Sequence, residues 1–262
     1  KEPESRKEKA INVAKSFGMK IKPIDVNSSG RVWEISKDGT ELIQPLSSIK
    51  GLGDAAIDQI MACRPFEKIE DFLFNEDIVY SKLNKKALDV LCRSGALNSL
   101  IDNRFTGGKH FWSAICVDRP RKIKNLEENI NLYSPEGDFS DEEKIGYLVE
   151  LTGVFPFNRV MKPEIYEQLN FNHIPPIANY DPALEVVWFI PRKVIPKKTK
   201  NGKAYWILEV IDDTNSLTKI RCWGIQEYDK ICVNRPYMAK LEHNDKWGFS
   251  TRSLRRNFRL LA

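Results

Sequence analysis

The chain has 262 residues, of which 42% are hydrophobic and 29% charged, a composition typical of a soluble globular protein with two or three domains. Its 41 basic and 36 acidic residues give a formal net charge of +5, an excess too small to indicate nucleic-acid binding by itself. The five cysteines lie far apart and form no Cys-x-x-Cys pair, so the sequence indicates neither a disulfide framework nor a zinc site.

The sequence contains neither an apolar run of about 18 residues nor a signal peptide, and we therefore expect a cytoplasmic protein with no membrane partner. It begins without Met in a charged helical pattern, which is typical of a piece of a longer protein. The first region, 1–45, starts with a predicted helix from Ser5 that ends at Gly18. A short strand at 19–27 and a β-hairpin with Asp38-Gly39 at its turn follow.

The stretch from Pro45 to Ala62 carries the strongest functional signal. A short helix closes before Gly51-Leu52-Gly53, and the apolar spacing of a second helix begins three residues later. Two glycines allow positive φ and leave the backbone bare, so the next helix begins with free N–H groups at the positive end of its dipole. Such a corner binds phosphate, which predicts a helix-hairpin-helix that grips a nucleic-acid backbone. The alternative is an ordinary helical corner with a glycine C-cap.

A second unit is predicted at 83–97, where an apolar helical face ends at Gly95. It lacks the second glycine, so a degenerate hairpin and a plain helix packed against the first hairpin both fit. The two units define a helical DNA-binding domain at 46–118, with lysines that frame the phosphate. Its predicted duplex-binding residues are Lys50, Gly51, Leu52, Gly53, Lys85 and Lys86.

Five motifs follow one another: AKSFGMKIKPIDVN at 14–27, IKGLGDAA at 49–56, PFEKIEDF at 65–72, LNKKAL at 83–88 and GALNSL at 95–100. In this order they resemble the alpha subunit of bacterial replicative DNA polymerase III, over residues about 9 to 105, where the fingers end and a tandem helix-hairpin-helix begins. The resemblance implies that catalytic domains, with the aspartates that bind Mg²⁺, precede residue 1. We expect no cofactor and no nucleotidyl-transfer activity in this chain.

The region 119–182 is interpreted as a linker that carries a possible docking peptide. The peptide has a polar head, a leucine and a terminal aromatic residue, which suit an apolar pocket. In the resembled family this place holds the peptide that binds the sliding clamp, although here Asn replaces Gln and Tyr replaces Phe. The alternative is a linker whose leucine and tyrosine tuck onto the domain. The predicted clamp-binding residues are Asn129, Ile130, Asn131, Leu132 and Tyr133.

The last region, 183–262, has a β rhythm. Strands are predicted at 184–190, 204–211, 217–223, 237–241 and 247–250, with a basic loop at 191–203 and a helical stretch at 226–233. Five short strands with a helix after the third is the order of an OB-fold barrel, and residues 200–213 also resemble the family's OB domain. An SH3-like barrel is the alternative. The predicted fold is therefore α+β and multidomain, a tandem helix-hairpin-helix domain followed by a five-stranded OB-fold β-barrel.

OB-folds bind single strands by stacking bases on aromatic side chains while cations follow the backbone. Side chains alternate along a strand, so Tyr205 and Trp206 cannot both be exposed on one face, and we expect about half of these aromatics in the core. The predicted single-strand-binding residues are Lys198, Lys200, Lys203, Tyr205, Trp206, Arg221 and Trp223.

No catalytic constellation is visible in the sequence. His110, His173 and His243 are isolated, and neither a Walker A loop nor a Rossmann glycine pattern occurs. Acidic clusters at 141–143 and 212–213 fit a helix start and a turn rather than a metal site.

We interpret the chain as the DNA-handling C-terminal part of a polymerase III alpha-type replicative polymerase. The predicted partners are double-stranded and single-stranded DNA, a sliding clamp and other replisome proteins, in a bacterial or phage-infected cell. Two alternatives stay open: a replisome protein-interaction module, and a hairpin-plus-OB structure-specific protein of the ligase or junction-binding kind. Binding that weakens steeply with salt favours DNA contact over the interaction module.

Overall fold

The computed structural model describes residue 14, residues 18–214 and residues 217–261. The chain divides into two compact units between Phe155 and Pro156. The helix predicted from Ser5 lies almost entirely outside the described residues, as does the end of the turn predicted before the third strand of the last region.

The first unit begins with a small sheet of three strands, β1 (Lys20–Lys22), β2 (Glu34–Ile35) and β3 (Glu41–Ile43). The central strand β3 is parallel to β1 and antiparallel to β2. The turn between β2 and β3 contains Gly39 with φ of +73°, a conformation that glycine adopts without steric cost. The sheet thus delivers the chain to a 3₁₀ turn at Leu46–Ser48, where the helical part begins.

The helices of the first unit are short and have defined ends. Asn84 caps the third by accepting a hydrogen bond from the Ala87 amide at 3.0 Å, and Ser140 with Glu143 forms a capping box at the sixth. The fourth continues into a π-helical turn at Ser113–Val117. They are α1 (Asp54–Cys63), α2 (Ile69–Leu73), α3 (Lys85–Arg93), α4 (Gly108–Trp112), α5 (Ile123–Tyr133) and α6 (Asp141–Thr152).

One continuous hydrophobic core joins these helices. It includes Ile57 and Ile60 of α1 and Leu88 of α3, as the helical spacing of the apolar residues predicts. The core also includes Leu126 of α5 and Leu151 of α6, so the first part of the region expected to be a linker is helical and packed. Few residues of α5 and α6 are fully buried, and such a narrow apolar stripe gives little periodic signal in the sequence.

The second unit contains two helices, α7 (Phe157–Val160) and α8 (Pro163–Phe171), followed by a β-sheet with a single helical turn, α9 (Leu254–Asn257), before its last strand. The helices α7 and α8 also fall in the region expected to be a linker. The strands are β4 (Val186–Lys198), β5 (Ala204–Ile211), β6 (Thr218–Trp223), β7 (Tyr237–Lys240), β8 (Glu242–Asn244), β9 (Gly248–Thr251) and β10 (Phe258–Leu260).

The strands form one sheet in the order β10-β7-β4-β5-β6-β9-β8. All pairs are antiparallel except β6 with β9, which is parallel. Only Leu241 separates β7, near one end of the sheet, from β8 at the other end, so the sheet must curl to bring its two ends together. Buried Leu208, Val210 and Ile220 fill the inside of the curl. The expected α+β multidomain organisation is confirmed at this level.

Two local expectations about the sheet differ from the structure. The predicted basic loop at 191–203 belongs mostly to β4, which pairs with β5 as far as Lys198 beyond a bulge between Pro191 and Lys193. Two prolines suggested a loop, but the long hairpin accommodates them. The predicted helix at 226–233 is a series of turns, in which the Asp229 carboxylate accepts a hydrogen bond from the Gln226 amide at 2.8 Å.

Candidate nucleic-acid interface

The predicted hairpin corner lies between the 3₁₀ turn and the start of α1. Gly51 has φ of +88°, where any side chain would be strained. Gly53 has φ of −78° and ψ of 156° and is the N-cap of α1. Only Gly51 therefore uses the conformational freedom that the sequence suggested for both glycines, whereas a Cβ on Gly53 would enter open space.

The corner offers free hydrogen-bond donors. The amides of Gly51, Gly53, Asp54 and Ala55 have no partner within the described part of the chain, and all four residues are exposed. The first amides of a helix lack intrahelical acceptors, and the helix dipole adds a partial positive charge there. The corner thus offers four unpartnered donors to anions.

The buried side chain of Leu52 anchors the corner to the hydrophobic core. It lies between the two glycines, is only 8% exposed and belongs to the core, so its side chain holds the turn in place and is not offered to a ligand. The Lys50 amide donates to the Leu151 carbonyl at 2.7 Å, which ties the turn to α6. The Leu52 amide also donates, to the Ile49 carbonyl at 3.2 Å, so within the turn the amides of Gly51 and Gly53 are the ones that stay free.

Of the three lysines predicted to bind phosphate, two lie beside the corner and one is hydrogen-bonded elsewhere. Lys50 immediately precedes Gly51 and is exposed. The Lys86 Cε lies 3.5 Å from the position that a Cβ on Gly51 would occupy, so this side chain runs along the corner. The Lys85 Nζ instead donates to the Val117 carbonyl at 2.9 Å. The structure brings Lys86 to Gly51 and engages Lys85 elsewhere.

Arg31 belongs to this site although no sequence pattern indicated it. Its Nη1 lies 3.1 Å from Asp54 Oδ1, and its Nη2 also contacts Asp58. The hydrogen bond to Asp58, with the nearby carboxylate charges, raises the pKa of Arg31. The Asp54 carboxylate at the start of α1 would repel an incoming phosphate, and Arg31 offsets that charge. The partners are more than 20 positions apart, so only the fold brings them together.

The second glycine corner is built differently. Gly95 has φ of +80°, like Gly51, but it is followed by a 3₁₀ turn at Asn98–Leu100 rather than by an α-helix. The amides of Gly95, Ala96 and Asn98 all donate to backbone carbonyls, at 3.0, 3.0 and 3.1 Å. Ala96 and Leu97 are fully buried. This corner closes the core and offers no exposed donor row.

In the second unit, one outward face of the sheet combines aromatic and basic residues. Tyr205 on β5 pairs with Trp223 on β6, and their rings stack with centroids 4.5 Å apart and planes 23° apart. Lys197 on β4 is the neighbour of Tyr205 on the other side. Because side chains alternate along strands, Trp206 points to the opposite face and packs against the core. The structure therefore separates Tyr205 and Trp223 from Trp206.

The remaining predicted residues of this unit surround the stacked pair. Arg221, two positions before Trp223, donates from Nη1 to the Trp247 carbonyl. Lys198 ends β4, and Lys200 and Lys203 lie in the tight turn that joins β4 to β5, all three exposed. The turn is closed by the Thr199 amide, which donates to the Lys203 carbonyl at 2.9 Å. The hairpin thus carries cations beyond the stacked rings.

The predicted clamp-binding peptide, expected within a linker, forms the last turns of α5. Asn129 is 8% exposed, and its Nδ2 donates to the Ala114 carbonyl at 2.8 Å and the Asp118 carbonyl at 2.7 Å. The Ile130 carbonyl contacts His110 Nε2 at 2.8 Å. Asn131 and Leu132 are exposed, Leu132 to 68%, and Tyr133 is half-buried. Asn129, the counterpart of the family's Gln, therefore holds the fold together here.

The described residues contain no group of three or more His, Cys, Asp or Glu side chains close enough to hold a metal ion. None of the described helices combines the length and the apolarity needed to cross a bilayer.

Residues 18–106, which include the glycine turn and its free amides, match the family model of the helix-hairpin-helix motif. The chain is similar to alpha subunits of DNA polymerase III. It is 26% identical to that of Chlamydia trachomatis over 239 residues, which cover 79% of this chain and 18% of the relative. It is 26% identical to that of Aquifex aeolicus over 229 residues, 84% of this chain and 19% of the relative.

A shorter match has a higher identity: the Caulobacter vibrioides subunit is 34% identical over 95 residues, which cover 35% of this chain and 8% of that protein. The resemblance inferred from the sequence is thereby confirmed. The chain spans about a fifth of the length of these relatives, or less.

Proposed function

We propose that this chain is the DNA-binding C-terminal portion of a DNA polymerase III alpha-type replicative polymerase, and that its hairpin corner grips the duplex backbone. The observation that carries the proposal is the exposed corner with four unpartnered amides, in the region that matches the helix-hairpin-helix family model. The proposed setting is the cytoplasm of a bacterial or phage-infected cell.

The chemistry of the corner suits a phosphodiester. Non-bridging phosphate oxygens accept hydrogen bonds from backbone amides and carry the charge that a helix N-terminus favours. Lys50 and Lys86 add positive charge beside the turn, and Arg31 offsets the Asp54 carboxylate. These donors suit phosphates and do not read base edges. We therefore expect binding that is independent of the DNA sequence and that weakens as salt rises.

The sharpest test compares the same substitution, glycine to alanine, at two positions, one in the hairpin corner and one away from it. Gly53→Ala adds a methyl group at the donor row without steric conflict, because nothing lies within 4 Å of the added Cβ and φ is ordinary. We expect duplex affinity to fall about eightfold near 0.1 M salt for each phosphate that the variant no longer binds, and the slope of log affinity against log salt to become less negative by about 0.9.

Gly146→Ala in α6 is the matched control, since the added Cβ also meets nothing within 4 Å. Binding should be unchanged in this variant, and both variants should keep the circular dichroism spectrum of the parent chain. Equal affinity and equal salt slope for Gly53→Ala and the parent would remove the hairpin corner from the DNA interface.

For the second unit we propose a five-stranded OB-fold barrel that binds single-stranded DNA. If β7 and β8 count as one strand interrupted at Leu241, the five strands are β4, β5, β6, β7–β8 and β9, and the parallel β6–β9 pair closes the curl. The stacked Tyr205–Trp223 pair, with Lys197, Lys198, Lys200 and Lys203 around the same hairpin, supports this role. Aromatic platforms of this kind contribute about 1–3 kcal/mol per stacked base.

Tyr205→Ala and Trp223→Ala test the barrel face. Each should weaken binding of an oligo(dT) strand by roughly 5- to 150-fold, the equivalent of about 1–3 kcal/mol. Phe171→Ala is the control, because Phe171 is 84% exposed at the end of α8 and belongs to neither strand of the stacked pair. If an oligo(dT) strand binds the parent and all three variants alike, the barrel serves protein contacts only, as the interaction-module alternative requires.

We also propose a sliding-clamp contact, confined to Leu132 and Tyr133. Leu132 is largely exposed at the end of α5, whereas Asn129 is committed to two backbone carbonyls. Leu132→Ala with Tyr133→Ala should abolish recovery of the chain on immobilised sliding clamp. Undiminished recovery would leave the segment as an ordinary helix end, the outcome that the linker alternative predicts.

A further inference from the structure

A cleft in the second unit is lined by arginines that the proposed function does not use. It lies between the loop that follows β6 and the segment that follows β9, and it consists of two adjoining cavities of about 480 and 350 Å³. Volumes of this size fit a nucleotide-sized ligand. The larger cavity is lined by Gly224, Gln226 and Tyr228 on one side and by Arg252, Arg255 and Arg256 on the other.

The charge of the cleft is strongly positive. Three arginines and Lys230 line the two cavities, against the single carboxylate of Asp229. Among the described residues, no carboxylate lies within ion-pair distance of Arg252, Arg255 or Arg256, and all three are exposed. Guanidinium groups bind phosphate through paired N–H donors, so uncompensated arginines around a concave surface suit a phosphate group.

An aromatic ring shares the cleft with the arginines. Tyr228 is 65% exposed, and the Arg255 guanidinium carbon lies 6.0 Å from the centre of its ring. A ring of this exposure beside a guanidinium offers a flat surface for a base or a sugar next to a phosphate site. A phosphate site beside a flat aromatic surface is the combination that binds a nucleotide.

The cleft adjoins the stacked aromatic pair. Cys222 of β6 pairs with Thr251 of β9 in parallel, and the next residues along the two strands are Trp223 and Arg252. The chains remain close beyond this point, since a Cβ on Gly224 would lie 2.8 Å from the Arg252 carbonyl oxygen. Trp223, the last residue of β6, and Arg252, the residue after β9, thus lie where two neighbouring strands end.

We propose that the arginine cleft is a phosphate-binding site for nucleotides, and that its natural source of phosphate is the backbone of a single strand leaving the Tyr205–Trp223 pair. The choice of a strand over a free nucleotide rests on the single-strand role proposed for the barrel. The phosphate chemistry of the cleft rests on its own arginines alone.

The test uses the 262-residue chain with Arg255→Gln and Arg256→Gln combined. A (dT)4 strand covers little more than the stacked rings, whereas a (dT)12 strand reaches beyond them. For each phosphate that the double variant no longer binds, we expect (dT)12 affinity to fall about fivefold near 0.1 M salt, with a salt slope less negative by about 0.7. Its affinity for (dT)4 should equal that of the parent. Arg159→Gln combined with Arg259→Gln removes the same charge outside the cleft and should change neither affinity.

Titration with pyrophosphate separates the two sources. If the parent binds pyrophosphate but no oligonucleotide, and the double variant loses the pyrophosphate, the cleft takes free nucleotide phosphates and the single-strand role of the barrel is wrong. If (dT)12 and pyrophosphate bind the double variant and the parent equally, the cleft proposal is overturned. Loss of (dT)4 binding in Tyr205→Ala, with (dT)12 unaffected by the arginine changes, would overturn the cleft and support the aromatic face.

Discussion

The two glycine corners of the first unit share a conformation and differ in what their amides do. Gly51 and Gly95 have φ of +88° and +80°. After Gly51 the chain enters a ten-residue helix and leaves four amides free at the surface, whereas at the second corner the amides of Gly95, Ala96 and Asn98 donate to backbone carbonyls. A left-handed glycine is therefore insufficient for a phosphate site, because the helix that follows supplies the donors.

The buried leucines beside the two glycines should give the largest effects. Leu52 lies inside the first corner and Leu97 inside the second, and both are in the core. Leu97→Ala and Leu52→Ala should each lower the free energy of unfolding by about 2–5 kcal/mol, because a cavity replaces a packed side chain. Urea unfolding followed by circular dichroism measures this effect. A decrease below about 1 kcal/mol at Leu97 would contradict the structural role of the second corner.

Replacing the two left-handed glycines separates stability from binding. Gly95→Ala and Gly51→Ala should each destabilise the chain by about 1–2 kcal/mol, since alanine carries the steric cost of a left-handed backbone. Only Gly51→Ala should also weaken duplex binding, measured by fluorescence anisotropy under conditions where both variants are folded. An equal decrease of duplex affinity in Gly95→Ala would show that the second corner touches DNA and would break the comparison.

Neighbouring lysines sharpen the comparison further. If Lys86 binds one phosphate, Lys86→Gln should lower duplex affinity by about eightfold near 0.1 M salt and make the salt slope less negative by about 0.9. Lys85→Gln should change the slope less, because the Lys85 ammonium is hydrogen-bonded to the Val117 carbonyl. The reverse order of the two variants would mean that DNA approaches this helix from the side of Val117.

The smallest expected effect concerns acid stability next to the second corner. Arg104 is 2.6 Å from Glu70 of α2 and 2.6 Å from Asp102, and its hydrogen bonds lower the pKa of both carboxyls. A lowered folded-state pKa means stabilisation that is complete above the unfolded pKa and disappears as pH falls through the folded value. For Glu70 the decrease begins as pH falls below its ordinary pKa of 4.5.

Glu70→Gln should therefore lower the urea midpoint slightly at pH 7 and flatten its decline at acidic pH. The comparison of midpoints from about pH 7 to about pH 3 tests this directly. Parallel midpoint curves for the parent and the variant would mean that the Glu70–Arg104 pair contributes nothing measurable to stability.

The sequence by itself determined those features that depend on neighbouring residues. Gly51-Leu52-Gly53 followed by helical spacing was enough to predict the corner, and the ordered motifs were enough to predict the resemblance to the polymerase alpha subunit. Strand alternation also predicted that Tyr205 and Trp206 face opposite ways, although not which of them is outside.

Tertiary structure alone decided which donors are free and which side chains meet. The amides at Gly95 are occupied because the chain folds back into the core there, and Arg31 reaches Asp54 from a loop 23 residues earlier. The sequence pattern predicts Asn129 as the head of a docking peptide, but in the structure its side-chain amide donates to the carbonyls of Ala114 and Asp118. Hydrogen bonds and ion pairs between residues far apart in sequence form only after the core has fixed the backbone, so no local pattern encodes them.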